Sequence, residues 1–410
     1  MTGTERVRPA KERQAAAAIT VKKAADSRKE DRVPVNDQEK ITSNQLMAIM
    51  LSTIIGIGIL TLPRTVTEAA GPDGWMLVLA GGVVAIILSV VISRLGLMFP
   101  GKTVVEYSGD IITKPLGFIF SLGFFTYYVL FCAFEARVFA EVTKQFLLDR
   151  TPSEAIIITM LLGAAYLARQ DIATVGRVGE MLVPVFILPS ILFLLPGIPE
   201  MDLTNLLPFM RTSPGKLLTG FGTIVTSYLG FEALLLFQPF MARPRDAAKA
   251  MTVALSAIIL IYVLAVVTAV AMFGVVEIQQ LIWPTFSVYR VIEIPGAFIE
   301  NIHGVVMALW VVAVYTTLAV FFFAAVTILG RILALKEYSF TALPLALLIY
   351  FLALVPNNVS QVYNYLDAFS LYLGIPFGFV LPAVLYIIAR VRGMGKEGGN
   401  GREKQAKKSG

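Results

Sequence analysis

The chain has 410 residues, of which 57% are apolar and only 15% charged, with a mean hydropathy of +0.75. A soluble domain carries about 25% charged residues, so lipid is the expected main solvent. The net charge of +6 sits in the ends, at +3 for residues 1–40 and +5 for residues 390–410, which leaves no basic patch in the core to suit nucleic acid. One cysteine, Cys132, and one histidine, His303, exclude an internal disulfide and argue against a zinc cluster or a histidine-built metal site, and no cofactor is expected.

Residues 1–40 read as a disordered, charged cytoplasmic tail without the apolar centre of a cleavable signal. Residues 41–390 form the membrane domain, and 391–410 a second, basic cytoplasmic tail. A crossing helix needs about 20 mainly apolar residues. Ten predicted spans follow, near 42–62, 75–98, 115–147, 153–168, 177–198, 216–241, 250–273, 302–330, 340–355 and 361–389, the fourth and ninth being short. With both termini cytoplasmic, 27 Lys and Arg residues fall inside and 6 outside, Arg137 lying within the third span. That bias fixes the expected orientation.

Two spans are interrupted. The first carries Gly56-Ile57-Gly58 and stops at Pro63, with 64–70 as a continuing half-helix. The sixth carries Thr226-Ser227-Tyr228-Leu229-Gly230-Phe231-Glu232, then Pro239. These spans open two successive five-helix halves, and broken helices in corresponding positions point to a midplane site in an inverted repeat. Non-helical backbone at that depth must be buried in protein or line a wet cavity.

At the first break, Gly56 and Gly58 lower the steric cost of unwinding. The freed N–H groups suit a carboxylate, and Ser52 and Thr53 add hydroxyls. Close helix packing through small residues is the competing reading. At the second break Glu232 either accepts a ligand ammonium or carries a proton, or else caps the broken helix; an ionisable group inside a span usually faces a cavity or a partner. Ser227, Tyr228, Gly230 and Phe231 accompany it. Tyr127, Tyr128, Tyr315, Thr316 and Thr317, on the third and eighth spans, are candidate walls, with plain packing as the alternative.

The remaining ionisable residues read more simply. Glu135, Arg137 and Glu141 lie towards the outer end of the third span, where Arg137 and Glu141 can pair at i, i+4 and snorkelling explains the group at least as well as function does. Glu180 is expected to pair with a basic residue such as Arg177 or with another helix, Asp367 to bond a neighbouring tyrosine, Trp75 to anchor at the interface, and His303 to cap its helix or make a contact. A phosphate loop, a nucleophile elbow and a metal-ligand cluster are all lacking, so the chain does not read as an enzyme.

The chain resembles the spore germination B-subunit family (GerA-type germinant receptors, spore permeases) of the amino acid/polyamine/organocation superfamily. The resemblance rests on Ile41-Thr42-Ser43-Asn44-Gln45, Phe99-Pro100-Gly101-Lys102-Thr103, Thr151-Pro152, Gly176-Arg177-Val178-Gly179-Glu180 with Pro184, Asn205-Leu206-Leu207-Pro208, Gly230-Phe231-Glu232, Gln238-Pro239-Phe240 and Trp283-Pro284-Thr285, in order over roughly 41–390. It departs at Gly71-Pro72-Asp73-Gly74-Trp75, which has an extra spacer, at Glu300-Asn301-Ile302-His303, which lacks an arginine, and in its long N-terminal tail.

The resemblance implies an all-α membrane protein of ten helices with a LeuT-like 5+5 inverted repeat. It implies a small nutrient ligand, typically an amino acid, with its carboxylate on the glycine break and the Gly230-Phe231-Glu232 break as partner. It also implies assembly with an A-type membrane subunit and a C-type lipoprotein subunit in the inner membrane of the spore. A secondary amino acid transporter, proton-coupled or exchanging, is the rival reading, and a scaffold with a vestigial pocket is a more distant one.

Overall fold

A computed structural model describes residues 40–292, 302–335 and 337–394. Lys336, Glu300, Asn301 and nearly all of the two expected tails lie outside those residues. Helices occupy all ten predicted spans. Among the described residues six helical stretches are long and apolar enough to cross a membrane, or seven if the pair Pro214–Tyr228 and Phe231–Phe240, bent by 54°, counts as one span. Ser153–Ala168 and Ser339–Ala353 are apolar but shorter.

The first span is two helices, α1 (Ser43–Ile54) and α2 (Gly58–Ala70). Helix α1 opens with a capping box: Gln45 N–H donates to Thr42 Oγ1 at 3.2 Å, and Thr42 N–H donates to Gln45 Oε1 at 3.0 Å. Helix α2 runs through Pro63 without the expected stop and takes in the expected continuation over 64–70, to Ala70. Proline removes the bond to the carbonyl four residues back. That carbonyl, on Ile59, accepts Thr285 Oγ1–H at 2.7 Å instead.

Next come α3 (Gly74–Met98), the short α4 (Val104–Ile111), α5 (Lys114–Phe146), α6 (Ser153–Ala168) and α7 (Ile172–Leu192). The second broken span is α8 (Pro214–Val225), a set of tight turns, and the single-turn α9 (Leu234–Phe237). Helix α10 (Ala247–Ile278), the loop helix α11 (Pro284–Val291) and α12 (Ile302–Ile332) follow. The chain closes with α13 (Ala342–Ala353) and α14 (Val359–Phe369), a π-helical segment (Ser370–Val380) around Pro376, and α15 (Leu381–Val391). The short α4 and α11 were not among the predicted elements, because eight residues are too few to show a period.

Three contacts hold the two ends of the bundle. Ile41 pairs with the end of the second broken span, its N–H donating to Phe240 O at 2.9 Å and its carbonyl accepting Ala242 N–H at 2.9 Å. Buried Gln238 donates through Nε2 to Ser93 O at 3.0 Å and Pro244 O at 3.2 Å. At the other end Asp73 is buried and accepts the N–H groups of Met210, Arg211 and Thr212 and the Thr212 hydroxyl, all within 2.9 Å. The unusual Gly71-Pro72-Asp73-Gly74-Trp75 segment thus ties the α2–α3 corner to the loop before α8. Trp75, expected to anchor at the membrane interface, stacks on Phe209 of that loop at 5.4 Å.

Candidate functional site

A helix that breaks inside the bundle leaves carbonyls at its C-terminal end without intrahelical partners. In α1 neighbouring helices supply the donors. Thr317 of α12 donates through its hydroxyl to Ser52 O, and Tyr262 of α10 donates to Ile54 O at 2.7 Å, with Ser227 O at 3.2 Å. Tyr262 therefore spans both breaks. Removing its hydroxyl leaves the Ile54 carbonyl unpaired, so Tyr262→Phe is expected to destabilise the protein by about 1–2 kcal/mol, read by detergent-induced unfolding.

The second break turns on Gly230, whose φ of +118° is closed to most side chains. Its N–H donates to Glu232 Oε2 at 2.7 Å, and Tyr127 donates to Glu232 Oε1 at 2.9 Å. Glu232 is wholly buried with both oxygens engaged. Of the three readings of this residue, these two hydrogen bonds favour the cap. Tyr228 donates to Val78 O of α3 at 2.8 Å. The two breaks touch: a Cβ on Gly230 would lie 2.9 Å from the Thr53 carbonyl oxygen.

A cavity of about 720 Å³ lies over this junction. Thr53, Gly56, Glu135, Leu229, Phe369 and Ser370 line its buried part. Exposed Glu68, Thr223, Ser360, Asn364 and Asp367 mark its mouth, with Arg64 also on the wall. Of the predicted site residues, Thr53, Gly56, Gly58 and Ser227 line the cavity. Ser52, Tyr127, Tyr228, Gly230, Phe231 and Glu232 are buried beneath the lining. Phe231 packs edge-on against Phe379. Tyr315 stands apart, donating to Gly163 O of α6 at 3.3 Å.

Several side-chain expectations change. Arg137 and Glu141 do pair, at 2.8 Å, but Glu135 does not snorkel. It is 0% exposed, and neither carboxylate oxygen has a hydrogen-bond partner. The Ile57 N–H faces it without reaching hydrogen-bonding geometry. Glu135 sits four residues after Phe131, on the face of α5 turned to the first break rather than to lipid. Arg177 neighbours Asp171 at 3.8 Å and bonds Thr174 at 2.7 Å, while Glu180 is exposed. Tyr363 accepts Trp283 Nε1–H at 2.6 Å instead of bonding Asp367.

Tyr262 escaped the sequence reading because a tyrosine in an apolar span looks like packing. Only the register of α10 against both breaks distinguishes it. Tyr127 and Thr317 were among the expected wall residues, but each acts through a hydrogen bond to a break.

Comparison with known proteins agrees with this architecture. A family model described as spore germination protein (spore permease) matches residues 40–362. The chain is 32% identical to spore germination protein YndE of Bacillus subtilis over 87% of this chain and 98% of that one. It is 28% identical to spore germination protein A2 of the same organism, over 86% and 96%. With spore germination protein GerLB of Bacillus cereus it shares 26%, over 88% and 97%. Among solved structures, that of MhsT in complex with L-phenylalanine superposes with a TM-score of 0.62 at 13% identity, covering 84% of this chain and 87% of the other. At that identity the likeness speaks for the fold, which is LeuT-like, and for nothing finer.

Proposed function

Since the chain belongs to the spore germination protein family of permease-like membrane proteins, we propose that it is the B-type, ligand-sensing subunit of a nutrient germinant receptor, binding a small amino acid over the broken first helix. One observation carries the reading: the cavity of about 720 Å³ has the Gly56–Gly58 interruption for its wall, with Thr53 and Ser227 beside it. Unwound backbone offers polar groups to a ligand that an intact helix would hide. Both termini face the cytoplasm in this reading, from the Lys and Arg bias, so the cavity opens outward. Binding favours one arrangement of the two breaks and passes that bias to an A-type membrane subunit and a C-type lipoprotein subunit in the spore's inner membrane. The basic tails suit anionic lipid headgroups.

The test is equilibrium binding and uptake of radiolabelled L-amino acids, with this chain alone in proteoliposomes. Saturable binding without net or exchange flux is the expected result. Flux far beyond the number of binding sites makes the chain a secondary transporter, and absence of binding across all twenty amino acids removes the ligand-sensing role.

A further inference from the structure

Among the described residues the bundle core holds two carboxylates with no exposed surface, Glu135 and Glu232, and they are not equivalent. Glu232 has both oxygens engaged, by Tyr127 and by the Gly230 N–H. Glu135 has neither oxygen engaged and lies on the cavity wall. A buried carboxylate without a partner is costly, at about 2.5–3.5 kcal/mol on insertion scales at a helix centre. The arginines nearest in the chain and on the cavity wall already hold acids: Arg137 binds Glu141 at 2.8 Å and Arg64 binds Glu68 at 2.8 Å.

The surroundings of Glu135 suit a cation. Phe131, one turn earlier on α5, and Phe369 line the same cavity, with ring centroids 5.7 Å apart. Aromatic faces attract an ammonium group, and a carboxylate on the wall of the same cavity supplies its counter-charge. Gly56 keeps that receptor open, because a Cβ there would lie 2.5 Å from Glu135 Oε1. The expected placement of a ligand carboxylate at the 56–58 break conflicts with this geometry. Glu135 already faces the Ile57 N–H, and a second carboxylate would meet like charge.

We propose that Glu135 is the subsite for a cationic nitrogen, so that the cavity selects compact primary ammonium ligands and seats their ammonium group between Glu135, Phe131 and Phe369. This rests on reading the cavity as the ligand site. A carboxylate on the same ligand points away from the break, towards the mouth of the cavity.

Two measurements on the purified full chain test it. In the first, wild-type protein reacts with a hydrophobic carbodiimide, and modification of Glu135 is followed by peptide mass mapping. The reaction is run with isopentylamine, L-leucine or 4-methylpentanoic acid present. Isopentylamine is expected to slow modification of Glu135 about tenfold, while 4-methylpentanoic acid has no effect. Lack of modification, or equal protection by the amine and the acid, overturns the assignment. In the second, radiolabelled binding of the twenty L-amino acids is compared between wild type and Glu135→Gln, with circular dichroism confirming the fold. A loss of at least tenfold in affinity is expected, and unchanged affinity overturns the ammonium subsite while leaving the sensing role intact. Protection of Glu135 by the amine without binding of any amino acid has the opposite meaning: the cation subsite stands and the amino acid reading falls. If Glu135→Gln does not fold, the wild-type modification experiment still decides.

Discussion

Glu232→Leu is expected to destabilise the protein by about 2–4 kcal/mol, with Glu232→Gln costing about half as much. The leucine leaves two buried donors unpaired, the Tyr127 hydroxyl and the Gly230 N–H. Each such orphan costs about 1–3 kcal/mol. Hydrogen bonds between membrane helices average about 0.6 kcal/mol and reach about 1.7, which holds the sum towards the lower end. Relief from burying a carboxylate offsets a further part. Glutamine keeps the shape and one acceptor oxygen, so one bond survives and its NH₂ meets a donor. Unfolding in rising concentrations of SDS ranks the three proteins. If Glu232→Leu unfolds with wild type, Glu232 is not the cap of the second break, and its role in binding a ligand returns.

The contrast between Glu232 and Glu135 shows how far the sequence was legible. Composition and the length of the apolar runs place the helices, because burying apolar length in lipid leaves few alternatives. The two interruptions were also visible, since glycine pairs and a polar run inside apolar stretches stand out. The roles of individual carboxylates were not. Whether a glutamate on a long helix snorkels or turns inward depends on the rotation of that helix. A 33-residue helix such as α5 carries apolar residues all round and gives no amphipathic phase. For Glu232 the ligand, proton and cap readings were all open in the sequence, and only its hydrogen bonds to Gly230 and Tyr127 favour the cap. The donors that complete the first break, Tyr262 and Thr317, lie 208 and 265 residues away from the carbonyls they serve, beyond the reach of any local pattern.

The glycines at the breaks follow the same logic and are expected to respond differently to a single methyl group. At Gly230 alanine meets two obstacles: a φ of +118° and a Thr53 carbonyl oxygen 2.9 Å from the new Cβ. Strain of that kind costs about 1–3 kcal/mol. The obstacle is backbone, so relief requires the two broken spans to move apart. Gly230→Ala is therefore expected to lower both stability and amino acid affinity. At Gly56 the φ is unexceptional, and the nearest atoms belong to side chains, Glu135 Oε1 at 2.5 Å and Thr317 Cγ2 at 3.0 Å. Gly56→Ala is expected to displace the carboxylate, with a smaller loss of stability but a loss of amino acid affinity of about tenfold, or about 1.4 kcal/mol. At Gly58 the added Cβ finds Ser227 Cα and O no closer than 3.7 Å, ordinary contact at the first turn of α2. Gly58→Ala reduces the freedom of the unfolded chain and is expected to be neutral or stabilising by about 0.4–1 kcal/mol. Unfolding in SDS and radiolabelled amino acid binding, measured on all three variants, separate the cases. Equal losses at Gly56 and Gly58 would mean that the break serves helix packing alone, and that the cavity wall is not tuned to what it holds.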